Sequence, residues 1–219
     1  VLNFDDCVLS QGNFKLRANL TVDLGQKVAV IGPSGGGKST LLAAIAGFLT
    51  PSQGAILWQG DPMPRHPGDR PVTMLFQDNN LFPHLTVLQN VALALGPKLR
   101  PSVAHRQQVG DMLKQVGLDG LADRKPAALS GGQQSRAALA RALLQDRDVC
   151  IFDEWAAEQD PTFKEVFYRD ILGDLKAQNK VVIVISHDDQ CFKYADRMVE
   201  ISYGKVHRIL ENTESFDML

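Results

Sequence analysis

Apolar residues gather into three short runs: "KVAVIG" (Lys27–Gly32), "VCIFDE" (Val149–Glu154) and "VVIVISHDD" (Val181–Asp189). Continuous, β-branched runs of this kind fill a parallel sheet, whose strands are covered on both faces. The first run leads through a glycine-rich turn into "STLLAAIAGFL", which predicts a helix. Between the second and third runs, Phe163, Val166, Phe167, Ile171 and Leu175 recur at helical spacing. That spacing predicts the crossover helix that parallel neighbours require. Residues 51–75 are turn-rich and alternating, as in "GAILWQG", and predict short β segments. Residues 84–122 read as mostly helical, interrupted near "GPKLRPS" by Pro97 and Pro101. The pattern is α/β, without repeats or low-complexity tracts.

Composition narrows the class. The chain has 219 residues, 44% of them apolar and 22% charged, enough for one ordinary core with at most a small lobe attached. A net charge of -2 gives no electrostatic reason to expect nucleic acid or an anionic membrane surface. Cys7, Cys150 and Cys191 lie far apart with no Cys-x-x-Cys pair, so disulfide and metal roles are not expected and a reducing compartment fits. No apolar run approaches the roughly 20 residues that span a bilayer. The expectation is a cytoplasmic chain that meets a membrane only through a partner.

The strongest chemical signal is "GPSGGGKS" with the Thr that follows it: Gly32, Pro33, Ser34, Gly35, Gly36, Gly37, Lys38, Ser39 and Thr40. It fits the phosphate-binding pattern G-x-x-x-x-G-K-[ST] and stands between a strand and a helix, the context that makes the pattern a P-loop. Glycines let backbone N–H groups curl around phosphates where a Cβ would obstruct them. Lys38 supplies a point charge between the β and γ phosphates, and Ser39 a hydroxyl for magnesium. At the end of "VCIFDE", Asp153 emerges at the C-terminal edge of a buried strand, where ligands bind in open α/β sheets. Its carboxylate can hold the magnesium shell. Glu154, next along, is placed to activate a water as general base.

A second anion-binding helix start lies at "ALSGGQQSRAALARALL" (Ala128–Leu144). Ser130 also reads as an ordinary N-cap. With the P-loop upstream and the acidic strand end about two dozen residues later, "LSGGQ" resembles the signature of the ATP-binding cassette (ABC) family letter for letter. The resemblance covers essentially the whole chain. It implies that Ser130, Gly131, Gly132 and Gln133 touch the γ-phosphate of an ATP held by a second copy, in a head-to-tail, ATP-dependent dimer. It further implies that Gln77 contacts magnesium and couples to a transmembrane partner, that His187 reaches the γ-phosphate, and that Asp160 belongs to the D-loop at the dimer interface.

Three departures from the family pattern stand out. Only Phe14 is available to stack on adenine, and it also reads as core. "DEWAAEQDP" has Trp155 where the family commonly has Pro after the glutamate, and Glu158-Gln159 within the D-loop. Gln134 stands where many members have Arg. The Trp155 ring is expected to pack against a neighbour and set the path of the D-loop. Residues 1 to about 148 resemble the ATPase subunit of bacterial thiamine importers, notably in "RPVTMLFQDNNLFPHLTVLQNVALAL". From about Val149, "FDEWAAEQDPTFKEVFYRDIL" and "KVVIVISHDDQCFKYADRM" resemble instead the ATPase domain of cyclic-peptide and siderophore exporters, so a hybrid of two lineages is one expectation.

The expectation for the whole is therefore a P-loop NTPase with an ABC-type ATPase core over residues 1–219, a small antiparallel β region and a helical signature subdomain near residues 84–145. Its implied cofactors are ATP and Mg2+. Its implied partners are a membrane permease, docking over Asn80–Leu95, and a second copy of the chain, with no nucleic acid. The implied function is ATP hydrolysis that powers a permease for thiamine import or, alternatively, an exporter. A soluble ABC protein acting on nucleic acid fits less well, since the chain lacks a tandem cassette or a basic patch. A hybrid that binds ATP without driving transport is a further alternative.

Overall fold

The computed structural model describes residues 1–76, 80–186 and 192–212. In chain order it begins with β1 (Leu2–Gln11), β2 (Phe14–Val22), β3 (Lys27–Ile31), α1 (Lys38–Ala46), β4 (Gln53–Trp58), β5 (Asp61–Pro62) and β6 (Val72–Leu75). Next come α2 (Val87–Ala92), α3 (Val103–Gln115), α4 (Gly131–Leu144), β7 (Val149–Asp153) and α5 (Pro161–Glu165). A π-helical stretch (Val166–Ile171) continues into α6 (Leu172–Ala177), followed by β8 (Val181–Ile185), β9 (Arg197–Ser202) and β10 (Lys205–Glu211). Two compact units result. The first comprises Val1–Met74, Asp148–Ala157 and Pro161–Leu219, and the second Leu75–Arg147 with Glu158–Asp160.

The strands form one sheet in the order β5-β4-β1-β2-β10-β9-β3-β8-β7-β6. The three apolar runs are β3, β8 and β7, parallel neighbours with Val28 opposite Ile183 and Ile151 opposite Ile183. Every residue of β8 is buried, as is all of β7 except Asp153. By contrast β1, β2 and β4 pair antiparallel, and β2 alternates buried and exposed positions, with one face toward the core and one toward solvent. The register sets Val30 opposite Ile185 and Asp153 opposite Ile185, so Gly32, Glu154 and Ser186 leave their strands at one edge.

The crossover from β7 to β8 buries Phe163, Phe167, Ile171 and Leu175 as the spacing predicts, but not as one regular α-helix. Widening of the turn at Val166–Ile171 lets the adjacent Phe167 and Tyr168 both bury their rings. Phe167 packs edge-on to Phe152 of β7 at 5.1 Å, and the Tyr168 hydroxyl lies 3.3 Å from Ser186 Oγ.

The second unit is helical. Its loop at residues 82–86 is held by Asn90, fully buried in α2, whose amide donates to Phe82 O, Leu85 O and Thr86 O and accepts from Phe82 N. Thr86 and Gln89 close a capping box at the start of α2.

Candidate active site

The site begins at the turn after β3. Gly32 has φ 142°, and a Cβ there would stand 1.9 Å from Ile201 O of β9, so no side chain can occupy the position. Gly37 caps α1 with φ 117° and no side-chain hydrogen bond, leaving the first N–H groups of the helix directed out of the turn. Lys38 is buried; its Nζ donates to Gly32 O at 2.6 Å and Pro33 O at 3.2 Å, which holds the ammonium inside the curl of the loop. Ser39 is exposed beside it. At the other end of α1, Arg70 donates to Ala44 O and Ile45 O, carbonyls of the last turn that a helix terminus leaves short of partners, and to Pro64 O, all at 2.5–2.7 Å.

A cavity of about 520 Å³ opens over this turn. Lys38, Ser39, Gly35, Phe14 and Glu154 are among the residues that line it. Glu154 is half-buried with φ 51°, and its N–H donates to Ile185 O at 3.0 Å, so the backbone turns sharply as it leaves β7. Burial, then the neighbouring Glu154 carboxylate, push the Asp153 pKa up, and the Lys38 charge partly opposes them. Phe14 both lines the cavity and packs on the edge of the core.

In the second unit, α4 starts at Ser130. Its Oγ accepts from Gln133 N, while the Gln133 side chain accepts from Ser130 N, a complete capping box. Gln134 Nε2 donates to Pro126 O and Leu129 O and so braces the approach to the turn. Gln77 and His187 lie outside the described residues.

The ABC transporter family profile matches residues 16–157. The chain is 46% identical over 208 residues to the thiamine import ATP-binding protein ThiQ of Cereibacter sphaeroides, covering 94% of this chain and 90% of the relative. It is 46% identical over 223 residues to the ThiQ of a Ruegeria species, covering 97% and 95%. A solved dimeric bacterial ABC transporter cassette superposes with a TM-score of 0.85 at 27% identity, covering 97% of this chain and 99% of that one. The same holds for a post-hydrolysis dimer of a cassette bound to ADP and phosphate. The chain belongs to the ABC transporter family.

It is thus an ABC ATPase, with ATP and Mg2+ as its cofactors. The donors present fit magnesium: a hydroxyl at Ser39 and a carboxylate at Asp153 are hard oxygen ligands, and Mg2+ takes few protein ligands besides phosphate and water. Among the described residues no group of three or more His, Cys, Asp or Glu is placed to hold a metal alone. No helix among them is long and apolar enough to cross a membrane.

The departures from the ABC pattern acquire physical reasons. Trp155 is 3% exposed, with its ring 4.5 Å from Phe167 and 6.2 Å from Phe163, so it packs as expected. Gln134 braces the signature turn through Pro126 O and Leu129 O. The relatives' alignments run through Val149, and nothing in them marks a join there. Arg70 was not legible as the terminal cap of α1, because nothing local in the sequence pairs residues 26 apart. Its single signal is a charged residue just before a strand that is half buried.

Proposed function

We propose that the chain hydrolyses MgATP to drive a membrane permease that imports thiamine. The carrying observation is one cavity lined by Lys38, Ser39 and Glu154, so that charge, hydroxyl and carboxylate stand together where α1 and β7 meet it. The P-loop from Gly32 to Thr40 holds the phosphates, and Ser39, Asp153 and Gln77 hold magnesium. When bound, magnesium neutralises phosphate charge. Glu154 accepts the proton of a water whose oxygen bonds to the γ-phosphorus as the bond to the bridging oxygen breaks, and ADP leaves with that oxygen. His187 stabilises the γ-phosphate. Ser130, Gly131, Gly132 and Gln133 close on the ATP of a second copy, head to tail. The Ser130 hydroxyl accepts from Gln133 N and keeps its own proton to donate to that phosphate.

Thiamine import is supported by the relatives' names and by their coverage of the chain. The permease would meet the Asn80–Leu95 surface, where Phe82 is 46% exposed on a loop fixed by Asn90. That partner would keep the chain on the cytoplasmic face of the membrane. A second reading, an exporter ATPase or a hybrid that turns over ATP without import, draws on the stretch from Trp155 to Asp160.

Two measurements test the proposal. Lys38→Ala is expected to weaken ATP binding about a hundredfold in a titration. Glu154→Gln is expected to keep that affinity and lower kcat by about 10²–10⁴. Equal loss of binding in both would refute these roles. Restored uptake in a thiamine-import mutant that lacks its own ATPase supports the importer, whereas turnover without rescue supports the second reading.

A further inference from the structure

The three residues Glu158–Asp160 belong to the helical unit, although the chain on either side of them belongs to the first unit. Four positions earlier stands Glu154, and Trp155 is fixed among Phe163 and Phe167. One side chain of α4 holds the short strap at two points. Arg136 Nε donates to Gln159 Oε1 at 3.1 Å, and its Nη2 pairs with the Asp160 carboxylate. Gln159 is 5% exposed, and among the described residues its Nε2 has no partner, so its polar orientation is set through the oxygen that faces Arg136. The strap lies against the first residues of α4: a Cβ on Gly132 would stand 3.8 Å from both Glu158 O and Gln159 Oε1, and one on Gly131 would stand 3.9 Å from Glu158 Oε2.

A planar guanidinium presents donors on two edges and can hold two acceptors in fixed relation, which an ammonium cannot. We propose that Arg136 is a positioning residue that clasps the Glu158–Asp160 strap to the signature turn through Gln159 and Asp160, so that a change at that turn reaches the loop carrying Glu154. Arg136 acts by fixing where the strap can lie, and Gln159 is the arm that makes the clasp two-pointed. A leucine at 159 would fill the same space and accept no hydrogen bond.

The test uses the full chain with its permease. It reads kcat and KM for ATP, together with amide hydrogen exchange at residues 157–161, in Arg136→Ala, Arg136→Lys, Gln159→Leu and Gln159→Glu. Arg136→Ala is expected to lower kcat about tenfold with KM within about twofold, and to speed exchange in the strap. Arg136→Lys and Gln159→Leu, each losing one arm, are expected to lower kcat about threefold. Gln159→Glu restores an acceptor and is expected to return kcat to within about twofold of wild type. Unchanged kcat in Arg136→Ala and Gln159→Leu overturns the proposal, as does a Gln159→Glu variant no better than Gln159→Leu, or a kcat loss without faster exchange. If Arg136→Ala does not fold, the two Gln159 variants decide. The proposal rests on the role given to Glu154; failure of that role shows as hydrolysis surviving Glu154→Gln, and failure of this one as unchanged kcat with Glu154-dependent hydrolysis intact.

Discussion

The helices α1 and α4 both begin at glycine-rich turns, yet they finish their N-termini in opposite ways. In α1 the cap is Gly37 in a left-handed conformation with no side-chain hydrogen bond. In α4 the cap is Ser130, which closes a reciprocal capping box with Gln133. An uncapped start leaves N–H donors for a ligand, and the dipole of the helix favours an anion there. A self-capped start is stable without one. The first is built to receive a phosphate in its own turn, and the second is complete without one, which suits the visiting role given to it in the proposed function. Their bodies differ likewise: α1 buries seven of its nine residues, whereas α4 keeps a half-exposed polar face with Gln133, Gln134, Arg136 and Arg141.

Four substitutions would break or sharpen this contrast. The largest effect is expected from Arg70→Ala, which strips two charge-assisted hydrogen bonds from the α1 end and a third from Pro64 O, and should lower unfolding stability by about 4 kcal/mol. Chemical denaturation measures it, and a loss under 1 kcal/mol would show, on the scale of an ordinary hydrogen bond, that α1 needs no such anchor. Gly37→Ala comes next. The new Cβ would meet Phe14 Cζ at 3.1 Å and the Leu16 side chain at 3.3 Å, in a backbone conformation that alanine disfavours. About 2 kcal/mol of stability should go, and ATP affinity with it. Ser130→Ala should cost about 1 kcal/mol through the lost cap and weaken the MgATP-dependent dimer seen by light scattering in a Glu154→Gln background. A dimer of undiminished strength would mean the hydroxyl serves the cap alone. Smallest is Gly131→Ala. The position is helical and a Cβ there would meet its nearest neighbour, Glu158 Oε2, at 3.9 Å, so thermal unfolding should show a gain of about 0.5 kcal/mol or less. A loss as large as that of Gly37→Ala would erase the distinction between the two turns.

Much of the first helix start was legible because its chemistry is contiguous. Strand, glycine turn, Lys38 and helix follow one another, and each residue type has a local reason. The same holds for Asp153 and Glu154, which end a buried run, and for the serine cap of α4. What could not be read depends on residues brought together by topology. Ile201 excludes a side chain at Gly32 only because β9 lies beside β3. Arg70 reaches α1 across 25 and 26 positions, and Arg136 reaches the strap across 23 and 24. Periodicity placed the crossover helix but not its π-helical stretch, since one apolar stripe is compatible with either winding.

That widened turn carries a consequence for how the chain tolerates changes of length. It holds one residue more than a regular α-helix would need to cover the same rise, which is how Phe167 and Tyr168 share the interior. Removing a single residue between Val166 and Ile171 would restore ordinary winding over the same rise, and Ile171, Leu172 and Leu175 would keep facing the core at the cost of one inward-facing ring. Adding a residue to the regular turn that follows, with no widening to absorb it, would instead swing everything downstream by about 100° around the axis. The segment therefore tolerates being shortened by one better than being lengthened by one.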